Sequence, residues 1–160
     1  MKNNRTRRIV ALALFVATSC CFLSCSKPRP DGLPPLVSCK ITVTQDSQPL
    51  ADATVSLYSD DVPWAVGGTT DASGVAVIYT HGQYAGAPEG NYVVTVTKQV
   101  VEQAEVALSP SVMTQGGKAY DLVEEQYGSR DKSPLTLEVS GKTTEKFDVG
   151  AAVRNEVKAM

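Results

Sequence analysis

The sequence predicts an all-β domain, a β-sandwich of about seven strands, that follows an N-terminal targeting segment. Between residues 36 and 98, four short segments alternate apolar and polar side chains, which is the pattern of a strand with one buried face. Gly, Pro, Asp and Ser cluster between these segments, as they do in turns. The chain starts with a basic stretch followed by an apolar run, which is typical of an exported protein.

Length and charge narrow the class of protein. The chain has 160 residues, enough for one domain, and 136 of them (160 minus 24) remain once the targeting segment is set aside. All 17 acidic residues lie in that remainder but only 11 of the 15 basic ones do, so its formal net charge is 11 minus 17, or −6. A domain this acidic does not bind phosphate backbones by counterion release, so we expect no nucleic-acid partner.

Residues 1–24 are predicted to be a signal peptide. Met1–Arg8 is basic, and the mostly apolar run from Ile9 to Leu23 has about fifteen residues, fewer than the roughly 20 that a membrane-spanning helix needs. Export signals have this charge and this length. We therefore expect this segment to direct the rest of the chain out of the cytoplasm.

The apolar run ends in Phe22–Cys25, which reads FLSC and is followed by the polar residues Ser26 and Lys27. This sequence resembles the lipobox of bacterial lipoproteins, in which a cysteine is lipidated through its sulfur and becomes the new N-terminus. The resemblance implies that acyl chains on Cys25 hold the protein on a membrane. By similarity to enterobacterial sorting, Ser26 implies the outer membrane, with the protein facing the periplasm or the cell surface.

The identity of the lipidated cysteine and the processing of the N-terminal segment stay open. Cys20 and Cys21 also follow small residues, but more apolar residues come after them, which favours Cys25 as the lipidated residue. An ordinary secretory signal or an uncleaved anchor is the alternative to lipidation.

Residues 25–35 are predicted to be a tether. Pro28, Pro30, Pro34 and Pro35 favour an extended, polyproline-like chain of about 3.1 Å per residue. Such a spacer would lift the folded domain off the lipid surface, and a proline-rich ligand motif is the alternative.

The first strand is predicted from Val37, where apolar residues occupy the odd positions up to Val43. Cys39 is one of them and therefore points into the core. With Cys20 and Cys21 removed and Cys25 lipidated, it has no disulfide partner in the chain, so we expect a buried free thiol. An intermolecular disulfide or a reactive nucleophile is the alternative.

Further strands are predicted over 53–58, 75–80 and 91–97. A tight turn at Asp71–Gly74 precedes the second of these, with Gly74 at a positive φ angle. That strand is apolar on nearly both faces, which favours a central position in its sheet. Residues 82–90 are predicted to be a loop.

Three strings in this region carry a family resemblance: Gln48–Val55, Gly68–Gly74 and Pro88–Val96, which read QPLADATV, GTTDASG and PEGNYVVTV. They resemble the carboxypeptidase regulatory-like modules, which are transthyretin-like (prealbumin-like or Ig-like) β-sandwiches. The whole chain is similar to small envelope lipoproteins of the planctomycete and lentisphaera type. The resemblance implies such a sandwich over residues 36–150 and implies little about activity, because this module occurs beside unrelated functions.

The second half of the chain has a weaker pattern. Residues 100–133 are predicted to be an insertion, with helical turns at 101–108, an irregular loop, and a short helix at 120–128. Strands return at 135–139 and around Phe147 and Val149, after a turn at Gly141–Lys142. Residues 151–160 are predicted to be a C-terminal helix or a frayed tail.

We predict no catalytic residue, metal site or cofactor. The one histidine, His81, has no nucleophile motif near it, and His and Cys do not recur at the spacing of zinc ligands. The acidic pairs Asp60–Asp61 and Glu124–Glu125 are expected to be solvated surface charge, because adjacent carboxylates diverge on a strand or a helix.

The sequence thus favours a non-enzymatic, lipid-anchored envelope protein whose sandwich is a structural or interaction module. Its expected partners are the membrane, through Cys25, and an envelope protein or a glycan. The alternative is a glycan-binding accessory lipoprotein that uses Trp64, Tyr84 and the loop at 82–90, with Tyr58, Tyr79 and Tyr92 as further aromatic residues. For Trp64, packing against the core is the competing interpretation.

Overall fold

The structure is a computed structural model, and it describes residues 29–102 and 118–157. The predicted signal peptide, Cys20, Cys21, Cys25 and most of the helical turns predicted at 101–108 lie outside these ranges. The described residues are mostly β, in several sheets whose pairs are antiparallel with one exception. The strands are β1 Leu36–Val37, β2 Cys39–Gln45, β3 Gln48–Pro49, β4 Thr54–Tyr58, β5 Val66–Thr69, β6 Val75–Val77, β7 Tyr79–Thr80, β8 Tyr84–Ala85, β9 Ala87–Pro88, β10 Gly90–Thr97, β11 Gln99–Glu102, β12 Lys118–Asp121, β13 Thr136–Val139, β14 Thr143–Asp148 and β15 Asn155–Glu156, and the helix α1 is Glu125–Gly128.

The chain divides into two compact units, residues 1–33 and 34–160. In the first unit, the described residues 29–33 contain a turn, in which the Leu33 N–H donates to the Pro30 carbonyl oxygen at 3.3 Å and Gly32 has φ 81°. Because of this turn, the predicted tether is not extended throughout. Gly32 permits the turn, since glycine reaches a positive φ angle at no steric cost.

Two sheets of the second unit share one core. The larger has the strand order β13-β10-β4-β5-β7-β8, and the smaller contains β14, β2 and β3, with β6 also paired to β2. Of the alternate residues predicted to point inward on β2 and β4, Cys39, Ile41, Val43, Val55 and Leu57 are buried. Val37, on β1, is half-buried. This burial confirms the period-2 pattern and is consistent with a sandwich. The core consists of Cys39, Ile41, Val43, Leu50, Ala53, Val55, Leu57, Val66, Ala76, Ile78, Ala87, Tyr92, Val94, Val96, Val123, Leu137, Val139 and Val149.

The predicted strand at 75–80 changes sheets. β6 pairs with β2 in the smaller sheet, and β7 pairs with β5 in the larger one. Ala76, Ile78 and Thr80 point inward, whereas Val77 and Tyr79 are exposed, so the prediction of a continuous central strand is wrong. The crossing brings β6 so close to Gly68 that a Cβ atom there would lie 2.4 Å from the Val77 carbonyl oxygen. Only glycine permits this approach.

Two tight turns hold the strands of the smaller sheet. β2 and β3 are joined by Asp46 and Ser47, which both have positive φ angles (49° and 64°), as a two-residue hairpin turn requires. In the predicted turn before β6, the Asp71 carboxylate accepts hydrogen bonds from the Ser73 hydroxyl (2.6 Å) and from the Val75 N–H (3.0 Å), which lower the pKa of Asp71. Gly74 has φ 76°, as predicted.

The C-terminal part differs most from the prediction. β14 pairs with β2 in parallel, so the turn at Gly141 does not fold β14 back onto β13. In the predicted insertion, β11 pairs with β12 in an antiparallel arrangement, so the described residues 101–102 and 118–121 are strand. The helix predicted at 120–128 is only Glu125–Gly128. Residues 151–157 contain no helix, because β15 pairs with β12 to complete a three-stranded sheet.

Candidate functional site

The candidate site lies on the outward face of the larger sheet. Tyr58 of β4, Val93 of β10 and Thr136 of β13 lie opposite one another in register, and their neighbours along each strand point into the core. Alternation therefore places these three side chains on the outer face. Two cavities open there, of about 470 Å³ and 340 Å³, and we call them together the outer groove.

Arg130 borders both parts of the outer groove. Its side chain lines both cavities, as do Tyr58 and Ser59. The guanidinium carbon lies 5.7 Å from the centre of the Tyr58 ring, and the group forms an ion pair with Asp60. The segment that carries Arg130 follows α1, which packs on β10, where Gly128 lies near the Thr97 methyl group.

The first cavity is lined mainly by polar side chains from β10, from β13 and from the residues that follow β4. The side chains of Asp60, Asp61, Asn91, Thr136 and Glu138 border it. Three carboxylates thus face one guanidinium, so the cavity carries an excess of negative charge at neutral pH.

The second cavity contains Trp64. Its ring is partly buried against the core, and its edge-to-face contact with the His81 ring has a centroid distance of 5.1 Å and an interplanar angle of 85°. The His81 N–H donates to the Ala65 carbonyl oxygen at 2.7 Å, which ties the two loops together. Trp64 thus packs on the core, as one interpretation of the sequence has it, and it also lines a cavity. Its role in ligand binding stays a prediction.

The other predicted ligand residue, Tyr84, does not line the outer groove. It lies on β8, opposite Thr80. The loop predicted at 82–90 contains β8 and β9. Gly86, between these two strands, is held by two hydrogen bonds: its N–H donates to the Ile78 carbonyl oxygen at 2.8 Å, and its carbonyl oxygen accepts from the Thr80 hydroxyl at 2.9 Å. The structure therefore brings Trp64 together with Tyr58 in one cavity and does not place Tyr84 there. The segment predicted to be a loop contains two short strands.

Sequence reasoning missed Arg130; the prediction that Asp60 is solvated surface charge is confirmed, because its side chain is 92% exposed, but its ion pair with Arg130 was not foreseen. The two residues are separated by 70 positions in the chain, and no motif links them. Thr136 and Glu138 could have been recognised as outward-facing, because they alternate with the apolar residues of the predicted strand at 135–139.

The thiol of Cys39 is buried, with 1% of its surface exposed. Desolvation raises its pKa to about 11, so the thiol is protonated at neutral pH. Burial likewise raises the pKa of its neighbour Tyr92 to about 12, and the Tyr92 hydroxyl donates to the Pro88 carbonyl oxygen at 2.8 Å. Cys39 is therefore part of the core, as predicted, and not a reactive nucleophile.

Within residues 29–102 and 118–157, no three His, Cys, Asp or Glu side chains are grouped so that they could hold a metal ion. The helix in this part of the chain is too short to cross a membrane. The chain matches no protein-family model, no curated protein and no solved structure.

Proposed function

We propose that this protein is a non-enzymatic lipoprotein of the bacterial cell envelope, anchored to the outer membrane through acyl chains on Cys25. Its all-β body is a transthyretin-like sandwich of the carboxypeptidase regulatory-like kind and acts as a structural or interaction module. The observation that carries the proposal is the order of three segments: a basic and apolar leader, Ser24–Cys25, and a proline-rich stretch that ends where β1 begins. This order suits a soluble body held at a membrane surface.

The packing of the two residues with catalytic potential supports a non-enzymatic role. The His81 ring contacts the Trp64 ring, and the Cys39 thiol is buried and protonated. A nucleophile needs an accessible atom and an activating base beside it. The Cys39 thiol is not accessible, and the ring that His81 contacts is aromatic and neither a base nor a nucleophile.

The anchor is tested by replacing Cys25 with alanine. Cells fed an alkyne fatty acid are expected to label the wild-type protein, and Cys25→Ala is expected to reduce that label at least tenfold. The variant should also move into the aqueous phase of a detergent partition, because each buried CH₂ of an acyl chain contributes about 0.8 kcal/mol of membrane affinity. Cys21→Ala is the matched control and should keep the label. If the label survives Cys25→Ala and is lost in Cys21→Ala, the anchor has been assigned to the wrong residue, and a wild-type protein without label contradicts the proposal.

A second candidate function, glycan binding, is favoured by one observation. Tyr58 and Trp64, two of the aromatic residues that the sequence offers as a sugar platform, line the same cavity. An aromatic ring with a polar tip suits ligands that have apolar faces and polar edges.

A further inference from the structure

We propose that the outer groove binds a neutral, linear saccharide, with sugar rings against Tyr58 and Trp64 and with Arg130 displaced from the Tyr58 ring. This inference rests on the glycan-binding candidate and deepens it, because it names the class of ligand and the residue that controls access. The site differs from the one expected from the sequence, which combined Trp64 with Tyr84.

The aromatic residues provide the apolar part of the site. Tyr58, the last residue of β4, is 41% exposed and lines both cavities, and Trp64 lines the second. Sugar rings carry C–H groups on their faces, and burying these against an aromatic ring removes apolar surface from water. Both cavities have volumes in the range of about 300–1,000 Å³ that small-molecule sites occupy.

The polar residues provide hydrogen bonds and select the charge of the ligand. Carboxylate oxygens accept hydrogen bonds from hydroxyl groups, and an asparagine amide both donates and accepts. Asp60, Asn91 and Glu138 border the first cavity and supply these groups. The excess of carboxylates repels an anionic sugar such as a uronate, so the groove favours a neutral one.

Arg130 borders both cavities and lies over the Tyr58 ring. Its side chain is 46% exposed and its partner Asp60 is 92% exposed, and ion pairs in water at such exposure contribute little to stability. The cation–π contact with Tyr58 is also at an exposed site, where it is weak. Rotating Arg130 outward therefore costs little and uncovers Tyr58, which lines both cavities.

The test measures saccharide binding by isothermal titration calorimetry, with the full protein in a detergent that contains no sugar. The probes are cellohexaose, maltohexaose and the N-acetylglucosamine hexamer, and a galacturonate hexamer serves as the anionic comparison. We expect at least one neutral hexamer to bind and the galacturonate hexamer to bind at least tenfold more weakly. Tyr58→Ala and Trp64→Ala should each weaken binding at least tenfold, and Arg130→Ala should tighten it about fivefold because the weak contacts that close the groove are gone.

Tyr79→Ala is the matched control. Tyr79 is an exposed tyrosine, 37% accessible, on the same sheet face, and it lines neither cavity of the outer groove, so its replacement should leave affinity unchanged. Circular dichroism of each variant verifies the fold. Trp64 packs on the core, so Trp64→Ala can unfold the protein. In that case Tyr58→Ala and Arg130→Ala decide the test, because both side chains are exposed.

Three results would overturn this inference: no binding of any neutral hexamer at millimolar concentration, equal affinities of wild type and Tyr58→Ala, or tighter binding of the galacturonate hexamer. Detergent partition of the same samples separates the two proposals. Loss of saccharide binding with unchanged partition overturns the saccharide site alone, and a wild-type protein in the aqueous phase overturns the anchored module instead.

Discussion

Replacing Gly74 with alanine is expected to lower the free energy of unfolding by about 3–4 kcal/mol. Gly74 has φ 76°, a left-handed conformation that costs an L-residue about 1 kcal/mol. A Cβ atom there would also lie 2.6 Å from the Val43 carbonyl oxygen, which accepts a hydrogen bond from the Leu50 N–H at 3.0 Å. The added methyl group must push that backbone away, and β2 is the centre of the smaller sheet. Urea unfolding of the mature protein in mild detergent, followed by the fluorescence of its one tryptophan, measures the change.

Gly141→Ala separates the two causes. Gly141 has a similar angle, φ 61°, but no atom lies within 4 Å of where its Cβ would be. The substitution should therefore cost about 1 kcal/mol, the conformational contribution alone. Equal losses in Gly74→Ala and Gly141→Ala would show that the close approach of Gly74 to β2 does not constrain the fold.

Thr70→Val is expected to lower the free energy of unfolding by about 2–4 kcal/mol, although the two side chains have nearly the same shape. The buried Thr70 hydroxyl donates to the Leu50 carbonyl oxygen at 2.6 Å and accepts from the Ala53 N–H at 2.8 Å. The hydroxyl thus satisfies two backbone groups of the turn before β4, in which Asp52 has φ 52°. Valine would leave two buried backbone groups without these partners, and each such group costs about 1–3 kcal/mol.

Thr69→Val is the matched control for this substitution. Thr69 is the exposed neighbour of Thr70 on β5, so the same chemical change should alter stability by less than about 0.5 kcal/mol. A loss in Thr70→Val no larger than that in Thr69→Val would contradict the assignment of the hydroxyl as the link between the turn and β5. The same urea titration serves for both variants.

The parts of the fold that the sequence predicts are those encoded locally. Alternation identifies the inward side of β2, where Cys39, Ile41 and Val43 are buried, and turn chemistry identifies the positive φ angle of Gly74. These features depend on neighbouring residues only, so a period of two and a glycine in a tight turn suffice to predict them.

The pairing of distant strands is not encoded in this way. β14 lies parallel to β2, about a hundred residues away in the chain. The alternation of apolar and polar residues in β14 does not indicate which strand it pairs with. The change of sheet between β6 and β7 depends on the space left by Gly68, which is a tertiary property. The residues of 75–80 therefore suggested one central strand.

The outer groove could be predicted only in fragments for the same reason. Tyr58 and Trp64 were recognised as candidate aromatic residues, and the outward side of β13 follows from its alternation. The position of Arg130 over Tyr58 depends on the path of the segment after α1, which has no periodic pattern. Without that path, the sequence gives no reason to place an exposed arginine beside Asp60.

The mass of the intact protein, purified from the membrane fraction with detergent, tests the central claim most directly. We expect a chain that begins at Cys25 and carries covalently bound acyl groups, attached through the sulfur of that residue. A chain that begins at another residue without acyl groups, or one that retains residues 1–24, would contradict the claim that this all-β body is held to the envelope by lipid.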